Sequence, residues 1–137
     1  MWRLLLLLSA GLYVLAVLSP AIVPDSPAQN GEVSGFECLL FGPLSWTVNP
    51  IMAVAWSANF IYLALIVFTL SPLGQSIPTA AGLLPFLVGL TCLGIKKSVA
   101  DLEGGSMADV HLASGAWLWL ASLALMLPTV YLKRTRR

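Results

Sequence analysis

Four long apolar stretches alternate with shorter polar segments along the chain. They lie at about residues 4–23, 46–70, 77–95 and 110–132. None contains Asp, Glu, Lys or Arg, and the single histidine, His111, lies at the edge of the last one. Each approaches or exceeds the ~20 residues with which a helix crosses a ~30 Å hydrocarbon core. Because lipid cannot pair with open backbone groups, the pattern predicts four transmembrane helices in one membrane domain, 1–137.

The segments between these stretches predict two loops on one side of the membrane and a tight turn on the other. Residues 24–45 contain several Pro and Gly residues and three carboxylates. Residues 96–109 contain two lysines and three carboxylates, whereas residues 71–76 are short and uncharged. Such compositions are typical of exposed loops and turns.

The basic residues are divided unequally between the two sides of this arrangement. Five lie on the side of the chain ends: Arg3, Lys133, Arg134, Arg136 and Arg137. The other side has only Lys96 and Lys97. Since cytoplasmic segments are enriched in Lys and Arg, we predict an all-α integral membrane bundle of four transmembrane helices with the N-terminus and C-terminus cytoplasmic.

Composition agrees with a lipid environment and excludes some classes of function. The chain is 58% hydrophobic and 9% charged, whereas soluble domains have about a quarter charged residues. A lipid bilayer is therefore its expected partner, and without a basic folded face no nucleic acid is expected. Cys38 and Cys92 belong to no C-x-x-C motif and have no neighbouring histidine, so neither a metal site nor a cofactor is indicated. A Cys38–Cys92 disulfide is conceivable, since both residues would lie near the outer face.

The first stretch has two interpretations. Met1-Trp2-Arg3 before a leucine run, with Ser26-Pro27-Ala28 further on, fits the template of a cleaved signal peptide covering residues 1–28. However, the apolar run is long for a signal peptide, and the small residues lie far from its end. We favour a retained helix, and cleavage would leave three spans.

The second stretch contains the densest polar and aromatic pattern. At 100° per residue, one side of the helix would present Ser45, Asn49, Ala53, Trp56 and Asn59. In the simpler interpretation, the helix begins just before Pro50 with Asn49 or Thr47 as its cap, and Asn59 hydrogen-bonds to a neighbouring helix. If the helix begins earlier, Pro50 would bend it. In the alternative, the two amides line a polar cavity.

The third and fourth stretches predict two further helix faces. In the third, a seam of small or ring-constrained residues recurs every three or four positions: Pro78, Gly82, Pro85, Gly89 and Cys92. We expect a packing groove with a bend at Pro85, or alternatively a hinge. In the fourth, one face would carry His111, Ser114, Gly115, Leu118 and Ser122. His111 could relay protons with Asp109 or Glu103 beside it, or simply be a wet residue at the outer edge.

Several short motifs resemble a loose group of small uncharacterised bacterial inner-membrane proteins with four helices. They are Gly35-x-x-Cys38-Leu39-x-x-Gly42, Trp46, Asn49-Pro50, Trp56-x-x-Asn59 and Leu118-Trp119-Leu120-Ala121-Ser122. The resemblance implies a multi-pass protein of the bacterial inner (cytoplasmic) membrane. Because that group has no assigned activity, it implies no catalytic residue.

Three classes of function follow from these features. The first is a non-enzymatic membrane protein acting through helix–helix contacts with another membrane protein or with itself, such as an accessory or assembly subunit or a bacteriocin-immunity-like protein. The second is an oligomeric transporter or channel, with a path lined by Asn49, Asn59, Ser114 and Ser122. The third is an enzyme that uses Cys38, or acid–base chemistry at Glu37, Glu103, Asp109 and His111. Without a catalytic constellation we favour the first class and expect no enzyme.

Overall fold

The first apolar stretch is divided between a helix and a strand. The computed structural model describes residues 1–25, 32–47, 49–99 and 107–135. In it, helix α1 spans Trp2–Leu18 and strand β1 spans Pro20–Pro24. Ser19 between them is extended, with φ −102° and ψ 157°, because the residue before a proline is disfavoured in helical conformation. The helix is therefore shorter than the predicted span 4–23.

A four-stranded antiparallel sheet, absent from the all-α prediction, covers one end of the helices. Its other strands are β2 (Val33–Ser34), β3 (Lys97–Val99) and β4 (Met107–Leu112), and the order is β2-β1-β4-β3. Ile22 pairs with Leu112, and Lys97 pairs with Asp109. The predicted loops 24–45 and 96–109 thus contribute strands, and the predicted span 110–132 begins within one. Short apolar runs adjoining a span have no periodicity that distinguishes a strand from a helix end.

The rest of the segment 24–45 also contains helix. Helix α2 spans Gly35–Phe41 and is followed by a 3₁₀ helix at Gly42–Thr47. Helix α3 then spans Pro50–Leu70. The Asn49 side chain accepts a hydrogen bond from the Met52 backbone N–H, 3.3 Å away, and Pro50 occupies the first helical position. The prediction that Asn49 caps a helix starting at Pro50 is confirmed.

The third apolar stretch is a broken helix rather than a continuous one. After a 3₁₀ turn at Pro72–Gln75, it comprises a 3₁₀ segment (Thr79–Leu83), helix α4 (Leu84–Gly89) and a second 3₁₀ segment (Leu90–Gly94). The small-residue seam is buried except at Pro78. A Cβ added at Gly82 would come within 2.9 Å of the Leu127 backbone, and one at Gly89 within 2.7 Å of the Leu123 side chain. The expected packing groove is therefore present, and it faces the last stretch.

The last stretch forms helix α5 (Ser114–Ala124) and helix α6 (Met126–Arg134). They meet at Leu125, one turn before Pro128. Proline has no N–H to donate to the carbonyl of the residue four positions earlier, which here is Ala124. The interruption between the helices follows from this missing bond.

Within the part of the chain that the structure describes, two helical segments are long and apolar enough to cross a bilayer. They are Pro50–Leu70 and Ser114–Arg134, whereas Trp2–Leu18 and Thr79–Gly94 are apolar but shorter. Helix α1 packs mainly on α5 and α6, and α3 packs mainly on α4. Most of the described residues are helical, which confirms the helical part of the predicted fold class.

The end of the bundle remote from the sheet is tied together by Lys133. Its ammonium donates to the backbone carbonyls of Thr69 and, at 2.7 Å, of Ser71 at the C-terminus of α3. The same ammonium lies 5.3 Å from the ring centroid of Trp2 in α1. A cation at a helix C-terminus satisfies carbonyls left without intrahelical partners. One side chain thus links α1, α3 and α6.

Candidate functional site

The Asn59 side chain joins three helices. Its Oδ1 accepts a hydrogen bond from the Tyr13 hydroxyl of α1 and another from the Trp119 indole N–H of α5, each 2.9 Å long. An indole nitrogen can only donate, so the atom facing Trp119 must be the amide oxygen. The Asn59 Nδ2 group makes no hydrogen bond to the described residues, although only 7% of the residue is exposed. The amide therefore has a free donor inside the bundle.

A second polar cluster lies immediately beside the first. The Ser9 hydroxyl is 2.8 Å from the Ser122 carbonyl, to which it donates, and 2.9 Å from the Tyr62 hydroxyl. Tyr62 in turn stacks on Tyr13, with ring centroids 4.9 Å apart. Ser9 and Ser122 are both 0% exposed. These bonds tie α1 to α3 and α5 by means of side chains.

A cavity of about 90 Å³ lies between α1 and α3, between these clusters and the sheet. Tyr13, Asn59 and Trp119 contribute to its lining. Apart from these, apolar and sulfur-containing residues dominate the wall, among them Ala16, Ile22, Met52, Ala55 and Cys92. The space exists because α1 and α3 are each packed against other helices and are bridged by side chains. Its polarity is almost entirely that of one amide.

Helix α2 forms the outer side of this cavity. Cys38 and Leu39 of α2 line it, and the Leu39 carbonyl accepts a 2.9 Å hydrogen bond from the Trp56 indole N–H. A side chain at Gly42 would overlap the Trp56 ring, and one at Gly35 would overlap the α1 backbone at Ala16. The two glycines therefore allow α2 to lie directly against α1 and α3.

The polar positions expected on the second and fourth stretches do not form a single lining in the structure. They are Asn49, Trp56, Asn59, Ser114 and Ser122. Trp56 and Asn59 border the cavity, whereas Asn49 lies at the end of α3, where its Nδ2 donates to the Lys97 carbonyl at 2.9 Å. Ser114 is exposed at the start of α5. Ser122 is buried, and its hydroxyl donates to the Trp119 carbonyl one turn earlier. The structure therefore brings together only two of the five.

The titratable candidates lie on the sheet instead of on a helix. His111 Nδ1 is 2.6 Å from Asp25 Oδ1, and the two side chains are 60% and 56% exposed. The expected neighbour Asp109 pairs with Lys97 across the β3–β4 ladder, and its carbonyl accepts from the Asp25 N–H at 3.0 Å. Glu103 lies outside the described residues. The helical face predicted to include His111 is wrong, because residues 107–112 form strand β4.

Cys38 and Glu37, which were considered for thiol and acid chemistry, both lie in α2. Burial, with a smaller effect from Glu37, raises the pKa of the Cys38 thiol to about 11. Its thiolate, the nucleophilic form, is accordingly scarce at neutral pH. Hydrogen bonds from the backbone N–H and the hydroxyl of Ser34 hold the pKa of Glu37 below its ordinary value. Both cysteines are free thiols that line the same cavity.

The sequence interpretation missed two of the residues that define this site. Tyr13 lies in a leucine-rich stretch, and Trp119 lies within the last apolar stretch. One signal was available: a tyrosine or tryptophan deep in an apolar stretch needs a hydrogen-bond partner when it is buried. Which partner it finds depends on how the helices pack.

Comparison with family models, with curated proteins and with solved structures finds no match to this chain.

Proposed function

We propose that this chain is a non-enzymatic, four-span protein of the bacterial inner membrane that serves as an accessory or assembly subunit through helix–helix contacts. The spans would be α1, α3, the broken helix Thr79–Gly94 and the α5–α6 pair. The observation that carries the proposal is that the polar groups within these helices are used almost entirely inside the bundle. Asn59 binds both Tyr13 and Trp119, and Ser9 binds both Tyr62 and the Ser122 carbonyl.

Because these polar groups pair with one another, the surface that the helices present to their surroundings is mainly apolar. A transport path needs polar groups around a continuous space, and the candidates Asn49, Ser114 and Ser122 lie apart from the cavity. An accessory role needs only complementary helix surfaces, which favours it over transport.

One face of α1 has the spacing of a helix–helix seam. Leu4, Leu7, Val14 and Leu18 are 55–74% exposed, and together with Gly11 they follow one another at steps of three and four. This is the spacing of a coiled-coil seam. A side chain at Gly11 would meet no atom within 4 Å, so the backbone there is open to close approach by a second helix. The outward face of α3 offers no such gap, since Phe60, Leu63 and Val67 cover it.

The contacts of α1 also support its retention in the mature protein. Ser9 and Tyr13 supply hydrogen bonds to both α3 and α5. Removing residues 1–28 would leave Tyr62 and Asn59 without these partners. We expect the intact mass of the protein isolated from membranes to include α1.

Site-specific photocrosslinking in the native membrane tests the accessory role. A photoreactive residue at Leu7 should yield a discrete adduct with a membrane protein, identified by mass spectrometry, whereas one at Leu63 on α3 should not. Gly11→Ile should abolish the Leu7 adduct by blocking close approach, and Ala64→Ile, on the exposed side of α3, should leave it unchanged. An adduct with a second copy would indicate a homo-oligomer, and one with a pore-forming toxin would indicate immunity. If Leu7 gives no adduct beyond the Leu63 background, the proposal fails.

A further inference from the structure

The cavity between α1 and α3 offers an uncommon combination of an apolar wall and one free hydrogen-bond donor. The Asn59 oxygen accepts hydrogen bonds from Tyr13 and Trp119, whereas its Nδ2 group makes no hydrogen bond to the described residues. Asn59 is one of the residues that line the cavity. An acceptor placed in the cavity would satisfy this donor.

Water is a poor occupant of this space. A buried water typically makes two to four hydrogen bonds, whereas the wall around Asn59 consists chiefly of aliphatic, aromatic and sulfur-containing side chains. The volume of about 90 Å³ is well above the ~10–15 Å³ that one water needs, so the apolar wall and not the size of the space disfavours water. The space therefore suits a small apolar group that carries a single acceptor.

The side of the cavity at α2 adjoins an exposed apolar surface. Val17, Leu39 and Trp56 line the cavity and are only half-buried. The outward residues of α2 and the following 3₁₀ helix are 53–69% exposed, and they are Phe36, Leu40, Phe41, Leu44 and Trp46. Such a surface is stable in contact with lipid chains and not with water. A molecule that enters beside α2 would accordingly come from the lipid phase.

We propose that the α1–α3 cavity binds an uncharged lipid-phase molecule whose carbonyl oxygen accepts a hydrogen bond from Asn59 Nδ2. The cavity receives a short apolar part of the molecule next to the carbonyl, and the remainder lies along α2. Acyl glycerides and quinones are both uncharged lipid-phase molecules with a carbonyl oxygen. The inference goes beyond the accessory role, since it requires no partner protein at the α1 face.

Binding is tested with the full-length protein, stripped of lipid in a maltoside detergent, by native mass spectrometry. The probes are dioleoylglycerol and a benzoquinone with a decyl chain. The wild type should bind one molecule of at least one probe saturably, and the probe that binds more tightly identifies the source. If neither probe binds saturably, the proposal is overturned, and the photocrosslinking result at Leu7 is unaffected.

Two pairs of variants locate the bound molecule. Ala55→Leu fills the cavity, and Ala64→Leu makes the same change on the exposed side of α3. Leu39→Trp blocks the side at α2, and Leu40→Trp adds the same ring on its outward face. Ala55→Leu and Leu39→Trp should bind the probe at least about tenfold more weakly because the larger side chain clashes with it. Ala64→Leu and Leu40→Trp should bind it like the wild type. If Ala55→Leu and Leu39→Trp are folded and bind normally, the site is not this cavity.

The hydrogen bond itself has a spectroscopic signature. Isotope-edited infrared spectra of the bound probe should show a carbonyl stretch shifted to lower frequency in the wild type and in Ala64→Leu. The shift should disappear in Asn59→Leu, even if some binding remains. An unshifted carbonyl in the wild-type complex would contradict the assignment of Nδ2 as its donor.

Discussion

At the scale of single residues, Asn59 holds three helices together. It accepts from α1 and α5 at once, so its loss leaves two donors unpaired inside the bundle. Each buried donor without an acceptor costs about 1–3 kcal/mol. We expect Asn59→Leu to lower the free energy of unfolding in mixed micelles by about 2 kcal/mol.

A double-mutant cycle separates the hydrogen bond from packing. Asn59→Leu combined with Tyr13→Phe should show a coupling of about 0.5–1.5 kcal/mol. Ser114→Ala, at an exposed position, should change stability by less than about 0.5 kcal/mol. Strictly additive effects of the first two substitutions would show that the Tyr13–Asn59 bond contributes nothing.

Two glycines provide a second test at this scale. A Cβ at Gly115 would approach the backbone oxygens of Pro20 and Ser19 to 2.8 and 2.9 Å, and backbone cannot move aside as a side chain can. We expect Gly115→Ala to destabilise the protein by about 1–3 kcal/mol. In Gly11→Ala the added methyl group meets nothing within 4 Å. Because alanine is the better helix former, that variant should be about 0.5–1 kcal/mol more stable in thermal unfolding. Equal effects of the two substitutions would refute the close α1–α5 approach.

At the scale of elements, α2 depends on a reciprocal cap at its start. The Ser34 hydroxyl accepts from the Glu37 N–H, and the Glu37 carboxylate accepts from the Ser34 N–H at 2.7 Å. This pairing is a capping box. It holds α2 in register against the side of the cavity.

The cap makes α2 sensitive to acid. Because the pKa of Glu37 is lowered in the folded state, its ionised form stabilises the helix above the ordinary carboxyl pKa. That contribution is lost as the pH falls through the lowered value. Carboxyl ¹³C NMR should show the Glu37 pKa moving up toward its ordinary value in Ser34→Ala, and the protection factors of the α2 amides, which are corrected for intrinsic exchange, should fall at low pH in the wild type. An unchanged pKa in the variant would show that Ser34 is not its cause.

At the scale of the whole molecule, topology is the main open prediction. With Cys38 and Cys92 replaced by Ala, a cysteine introduced at Lys96 should react with an impermeant maleimide in intact cells. One introduced at Thr135 should react only after lysis, since the cluster of basic residues at the chain end favours the cytoplasm. Labelling of both sites in intact cells would contradict the four-span arrangement.

The sequence by itself determined those structural features that depend on local composition. The long apolar stretches predicted helices because lipid-phase backbone must pair internally, and the Asn49-Pro50 pair predicted a helix start because its capping needs no distant partner. The spacing of Gly82, Pro85, Gly89 and Cys92 predicted a packing seam because residues three and four positions apart lie on the same side of a helix. These features involve residues within a few positions of one another.

The tertiary structure alone decided the sheet, the cavity and the site. Strands β1 and β4 are short apolar runs whose pairing joins residues about ninety positions apart, as in Ile22 with Leu112. Pro20 ends α1 locally, but nothing local indicates which strand the residues of β1 pair with. The same is true of Tyr13, Asn59 and Trp119, since each needs a hydrogen-bond partner and only the packing of α1, α3 and α5 brings them together. Hydrophobic pattern sets which segments leave water, whereas the specific partners of buried polar groups are set by how those segments meet.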